Sequence, residues 1–174
     1  MTKPKTIYTI GYEGTTLEQF LQTLAANRIE ALADVRALPL SRKPGFSKNG
    51  LAAALATRGI SYRHFRWLGN PKSGRDAARA GDRETFVRIF GKHMETEQAR
   101  AALSELLTLA KTRTTCLMCF ERDARQCHRS LISDQIDCLG HTVFNLVADI
   151  PVQVMNHDTT IPCHHPRQSI TAAE

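Results

Sequence analysis

Thr114-Thr115-Cys116-Leu117-Met118-Cys119-Phe120 is an apolar, β-branched run, and Cys127-His128-Arg129-Ser130-Leu131-Ile132 follows it after a short polar turn. The run lacks the polar alternation of a strand with one wet face, so it reads as a strand buried on both sides. The segment after the turn carries Leu131, Ile132 and Ile136 at helical spacing and is stopped by Gly140. A doubly buried strand that feeds a helix is the repeating unit of a parallel α/β sheet.

The same alternation extends outward. Thr6-Ile7-Tyr8-Thr9-Ile10-Gly11 reads as a buried strand entering a tight turn, and Thr15-Thr16-Leu17-Glu18 caps a helix carrying Phe20, Leu21 and Leu24. Ala31 to Arg36 is a second strand that turns polar at its end, and a short helix over Leu51 to Leu55 is stopped by Gly59. A third strand runs from Ile60 to Phe65. Gly69 to Gly81 has no clear period and reads as a loop. Asp82 caps a helix with Phe86, Ile89, Phe90 and Met94, a further helix covers Glu97 to Lys111, and Thr142 to Val147 is a fifth strand. These elements predict one α/β domain over residues 1–150, with a central, mostly parallel five-stranded sheet and helices on both faces, followed by a tail over 151–174.

Composition bounds the function. The chain has 174 residues, 42% hydrophobic and 23% charged, which suits one globular domain and excludes a disordered or fibrous class. No apolar run approaches the roughly 20 residues of a membrane span, and the first residues lack the apolar core of a signal peptide. Five cysteines, an odd count, suggest reduced thiols rather than a disulfide framework, so a cytoplasmic location is expected. The net charge of +6 is concentrated between Arg42 and Lys92, where 12 Lys and Arg face three acids. That segment suits a phosphate-bearing small molecule or nucleic acid as partner; a solvated basic face is the alternative.

Parallel sheets bind ligands at the carboxyl ends of their strands. Gly11 and Tyr12, Asp34 and Arg36, and the turn after the fourth strand all fall there. In that turn Cys127, His128, Arg129 and Ser130 open a helix, whose free N–H groups and positive dipole favour an anion or a thiolate. Cys127 is the candidate nucleophile, His128 the proton carrier and Arg129 the anion clamp, with Glu121 as base or orienting group. Packing of Cys127 under the helix is the alternative.

Cys119 and Arg125 have the C-x5-R spacing of thiolate phosphatases, yet Glu121 and Asp123 would repel phosphate inside such a loop. Cys116 and Cys119 have C-x-x-C spacing, but a strand turns residues three apart to opposite faces, and Cys163-His164-His165 closes no coordination sphere alone. Neither a metal nor a cofactor is expected. The second element is the basic, proline-stiffened loop after Asp34, where Arg36 and Arg42 would hold anion oxygens and Phe46 would cover a ring. A salt bridge from Asp34 that merely ties the loop down is the alternative there. Tyr62, on the third strand with His64, Arg66 and Trp67, is a further candidate for stacking on a base of the substrate; a core position is the alternative.

Thr9-Ile10-Gly11, Asp34-Val35-Arg36 with Pro39, Ser41 and Pro44-Gly45-Phe46, Gly59-Ile60-Ser61-Tyr62 with Leu68-Gly69, Met118-Cys119-x-Glu121 and Cys127-His128-Arg129-Ser130 occur in this order. Over residues 6–148 the chain thereby resembles the family catalogued as domain of unknown function 488. The resemblance implies an α/β domain of bacteria and archaea and names no reaction. The expectation is an enzyme acting on a nucleotide, nucleic acid or other phosphate-bearing substrate; the alternative is a non-catalytic nucleic-acid-binding module using the basic segment 42–92.

Overall fold

The computed structural model describes residues 5–148 and the pair Ile161–Pro162. Its centre is a parallel sheet of β1 (Thr6–Gly11), β2 (Ala31–Asp34), β3 (Ser61–His64), β4 (Thr115–Cys119) and β5 (Thr142–Leu146), in the order β3-β2-β4-β1-β5. The connections are α1 (Leu17–Ala26), α2 (Lys48–Ala56), α3 (Lys72–Arg79), α4 (Arg83–Met94), α5 (Glu97–Thr112) and α6 (His128–Cys138). This is the single α/β domain that the alternation of strands and helices implied. A short strand, β6 (Ile161–Pro162), pairs antiparallel with the outer edge of β5, a place where proline's missing donor is tolerated. The rest of the expected tail, with Cys163-His164-His165, lies outside the described residues.

Side-chain alternation splits the core into two layers. Ile10, Leu32, Cys116 and Met118 pack with Phe20 and Leu24 of α1 and Leu51 and Leu55 of α2. Ile7, Ala33, Leu117 and Cys119 pack with Phe90 of α4, Leu106 of α5, and Ile132 and Ile136 of α6. All of β4 is buried, in keeping with its unbroken apolar run. Helix starts follow local chemistry. Thr16 and Gln19 form a capping box on α1, Asp82 accepts the Thr85 N–H on α4, and Thr96 accepts that of Ala99 on α5.

Residues 69–81 are not a loop: α3 occupies most of that stretch. Its inner face is made by Gly74, which is buried, and Ala77. Lys72, Arg75, Asp76 and Arg79 recur at helical spacing on the other side, so the period is written in charge rather than in large apolar residues. A Cβ at Gly74 would stand 2.0 Å from Asn70 Oδ1.

The topology prepares a site. β4 lies between β1 and β2. The chain leaves β1 and β2 toward the α1/α2 layer, whereas it leaves β4 toward α6 in the other layer. Open α/β sheets bind their ligands where connections part in this way, which here is the carboxyl end of β4. Gly11, at the end of β1, is register partner of Cys119 at the end of β4. A Cβ on Gly11 would stand 1.8 Å from the Glu121 carbonyl oxygen. Gly11→Ala is therefore expected to cost about 1–3 kcal/mol, the range for overpacking, read as a lower urea midpoint at unchanged slope. Gly91→Ala, on α4 with open space around it, should hold or raise the midpoint. An unmoved midpoint in Gly11→Ala would show that the two chain segments do not press together.

Candidate functional site

Beyond β4 the chain passes Phe120 and Glu121, makes a 3₁₀ turn over Ala124–Gln126, and enters α6. Cys127 is the N-cap of α6, with an extended backbone and a sulfur that accepts the Arg129 N–H at 3.5 Å. Oxygen usually fills this role; sulfur here places the thiol at the positive end of the helix. Cys127, His128, Arg129 and Ser130 are all buried. Ser130 donates its hydroxyl to the Cys127 carbonyl at 2.9 Å, closing the first turn.

Arg129 is 1% exposed. Its Nε donates to the Cys127 sulfur at 3.5 Å, its Nη1 to the Thr9 hydroxyl of β1 at 3.2 Å, and its Nη2 to the Glu121 carbonyl. Among the described residues no carboxylate stands within ion-pair distance of it. A buried, uncompensated guanidinium is heavily penalised, and the acidic atom it touches is the Cys127 sulfur.

His128 Nε2 lies 2.8 Å from the Val35 carbonyl. A carbonyl only accepts, so this nitrogen carries a proton. Nδ1 consequently faces the sulfurs of Cys127 at 3.6 Å and Cys119 at 3.8 Å. Burial raises the Cys127 thiol, but the hydrogen bond from Cys119 and the charges of His128 and Arg129 outweigh it and hold the thiol well below its usual range. Cys119 moves the opposite way, well above its usual range, because it donates to Cys127 and is buried. Burial opposes charge on His128, yet the neighbouring Cys127 draws its proton affinity up. Of the two buried sulfurs, Cys127 is thus the one biased toward the thiolate and Cys119 the one biased toward the thiol.

Glu121 is half-buried at the rim of this cluster. Its Oε2 is shielded from solvent and has no hydrogen-bond partner among the described residues. Burial, reinforced by the Cys127 sulfur, pushes the carboxyl up to about 7. Cys119, Cys127 and His128 also place their ligand atoms within 4.8 Å of one another, a group of donors that could hold a metal ion.

The structure gathers Gly11, Glu121, Cys127, His128, Arg129 and Ser130 around the carboxyl ends of β1 and β4. Asp34, Arg36, Tyr12, Phe46 and Tyr62 form a second, closed cluster beside it. Arg36 donates Nε and Nη2 to the two Asp34 carboxylate oxygens at 2.9 and 2.6 Å, and Nη1 to the Tyr12 hydroxyl and the Phe46 carbonyl. Tyr62 donates to Asp34 at 2.6 Å; burial and this carboxylate push its hydroxyl up. Phe46 stacks on Tyr12 with ring centroids 4.4 Å apart. Val35 links the clusters, since its carbonyl accepts from His128. Arg42 is exposed on the loop, apart from both.

Cys119 and Thr9 join the site without being among the residues expected there. Strand alternation does give Cys119 a face opposite to Cys116, and the structure agrees: Cys116 packs in the α1/α2 layer. What sequence does not show is that this face meets Cys127 and His128. Arg125 lies outside, exposed and paired with Asp123 at 2.9 Å, while Cys119 is buried, so their C-x5-R spacing builds no phosphate cradle.

Fold and centre together define an α/β protein with a buried cysteine, histidine and arginine cluster at its strand ends. The chain belongs to the family described as Domain of unknown function DUF488, whose profile matches residues 16–136. Among curated proteins and among solved structures nothing matches it. No helix among the described residues is long and apolar enough to cross a membrane.

The closed cluster gives a direct expectation. Arg36→Ala leaves the Asp34 carboxylate buried and unpaired, and breaking such a pair costs about 3–5 kcal/mol. A large fall in melting temperature is expected, whereas Arg125→Ala should leave the melting curve in place. A stable Arg36→Ala protein would mean that Asp34 finds another partner and that the Arg36 fork is spare for a ligand.

Proposed function

We propose that the protein is an enzyme acting on a small phosphate-bearing substrate, a nucleotide or the end of a nucleic acid, at the crevice beyond β4. The observation that carries this reading is Arg129: a buried guanidinium opposite a cysteine sulfur rather than a carboxylate. A core built for packing alone has no use for a sulfur anion, an imidazole and a guanidinium in contact, because burying them is costly. Perturbed groups assembled at a strand-end crevice are the signature of a reacting centre.

Cys127 and His128 supply the charged floor of that centre. Glu121 is its half-buried member, with one oxygen shielded and unpartnered, so it meets the entering molecule and carries its proton. Charge supports the anionic substrate: the segment 42–92 has 12 basic residues against three acids. Lys43 reaches the same end of the sheet, donating Nζ to the Tyr12 carbonyl at 3.1 Å. A reducing cytoplasm is the setting in which these thiols stay free.

A nucleic-acid-binding module is less well supported. Lys48, the one basic residue of α2, lies in one layer and the basic residues of α3 and α4 in the other, and several of the segment are engaged, Arg58 with Glu18, Arg63 with Glu105 and Lys72 with Asp76. They make no continuous stripe along which a phosphate backbone would track.

Nucleoside mono-, di- and triphosphates and short single strands, assayed by chromatography and phosphate release, test the proposal. Turnover of at least one is expected, with competition by inorganic phosphate. Glu121→Gln should lower kcat by on the order of a hundredfold or more, as for loss of a proton carrier, while melting stays near wild type. Binding that collapses steeply with salt and is never accompanied by turnover would overturn the enzyme reading in favour of the module.

A further inference from the structure

Cys119, Cys127 and His128 present three donors of the kind that zinc prefers, all buried and mutually within 4.8 Å. His128 Nδ1 lies 3.6 Å from one sulfur and 3.8 Å from the other. Bonds of about 2.0 Å to nitrogen and about 2.3 Å to sulfur, set tetrahedrally, require donor separations of roughly 3.5–3.8 Å. Both nitrogen–sulfur separations already stand near that geometry, and the two sulfurs lie within 4.8 Å of each other.

We infer that Cys119, Cys127 and His128 ligate a thiophilic divalent cation, zinc in the first place, leaving a fourth position that faces Glu121. Three further features agree with this. His128 gives its Nε2 proton to the Val35 carbonyl at 2.8 Å, the outer contact that fixes a ligating histidine and turns its other nitrogen to the metal. Glu121 lies outside the group of mutually close donors, yet holds a shielded oxygen without a partner, which suits an acceptor for the proton of a water in the fourth position. The charges also close: two thiolates cancel the dication, so the ion adds no net charge to the buried cluster. The Cys127 sulfur keeps its contacts from the main-chain N–H and Nε of Arg129, each at 3.5 Å.

This inference rests on reading the crevice as the reacting centre, and it assigns the cofactor class. A cation there polarises water for hydrolysis, with Glu121 taking the water proton. Cys127 and Cys119 then serve as ligands. The nearby Cys116 takes no part, since its sulfur lies in the other layer.

Titration of the reduced, chelator-treated full chain with cobalt(II) tests it. Expected are a near-ultraviolet sulfur-to-cobalt charge-transfer band and the intense visible bands of a tetrahedral site, saturating at one ion per chain and abolished by zinc. Cys119→Ser and Cys127→Ser should each weaken binding at least tenfold and reduce the charge-transfer band; Cys138→Ser and Cys163→Ser should leave both unchanged. Native mass spectrometry of the wild-type chain with zinc gives a readout that does not depend on variant folding: a mass gain of one zinc less two protons. Absence of the tetrahedral spectrum, its survival in both Cys119→Ser and Cys127→Ser, or its loss in Cys163→Ser would overturn the inference. Turnover of a phosphate-bearing substrate by chelated protein that shows no cobalt spectrum would sink the metal centre and leave the proposed function standing. A full cobalt spectrum without any turnover would do the reverse.

Discussion

Arg129 ties three parts of the chain to one planar group. Its fork reaches Thr9 on β1, the Glu121 carbonyl just past β4, and Cys127 at the head of α6. A lysine, with a single point charge on a flexible stem, would not span these partners at once. The crevice beyond β4 is therefore held at fixed width. Gly11 belongs to the same constraint, because the Glu121 peptide approaches β1 too closely for any side chain there. Burying the guanidinium in turn dictates an anion nearby, and the chain offers sulfur where a carboxylate would be ordinary.

The neighbouring cluster solves the same problem differently. Arg36 is also buried, but Asp34 meets it with both oxygens, and Tyr62 and Tyr12 complete the set. That network is satisfied within the protein, and a satisfied buried network rigidifies its surroundings. It fixes the end of β2 and with it the Val35 carbonyl, on which His128 leans. One cluster is closed and supportive; the other retains an orphan oxygen on Glu121. This contrast between adjacent sites separates scaffold from chemistry.

Much of this could be read from residue order. The unbroken apolar run of β4 and the alternation of strands with amphipathic segments imply a parallel sheet, and Asp82 and Thr16 announce their helices. The placing of Glu121, Cys127, His128 and Arg129 at one strand end follows from the strand-turn-helix pattern. α3 escaped because its contact face consists of Gly74 and Ala77, so that only the spacing of Lys72, Arg75, Asp76 and Arg79 on its wet face marks it as a helix. Cys119 escaped for another reason. Strand alternation gives its face, but only the layer in which α6 packs decides that Cys127 and His128 lie on that face too. Arg36 illustrates a third limit: an arginine at a strand end looks the same in sequence whether its fork awaits a ligand or grips Asp34.

The sulfur cap of α6 has a mechanical side. The opening N–H groups of a helix lack partners within it, and here the Arg129 N–H relies on Cys127. A negatively charged sulfur holds that donor and the helix dipole well; a neutral or alkylated one holds them poorly. The other capped helices rest on oxygen, from Thr16, Asp82 and Thr96. The head of α6, with His128, Arg129 and Ser130 in its first turn, rests on one sulfur instead, so its footing and the chemistry of the site share a single atom.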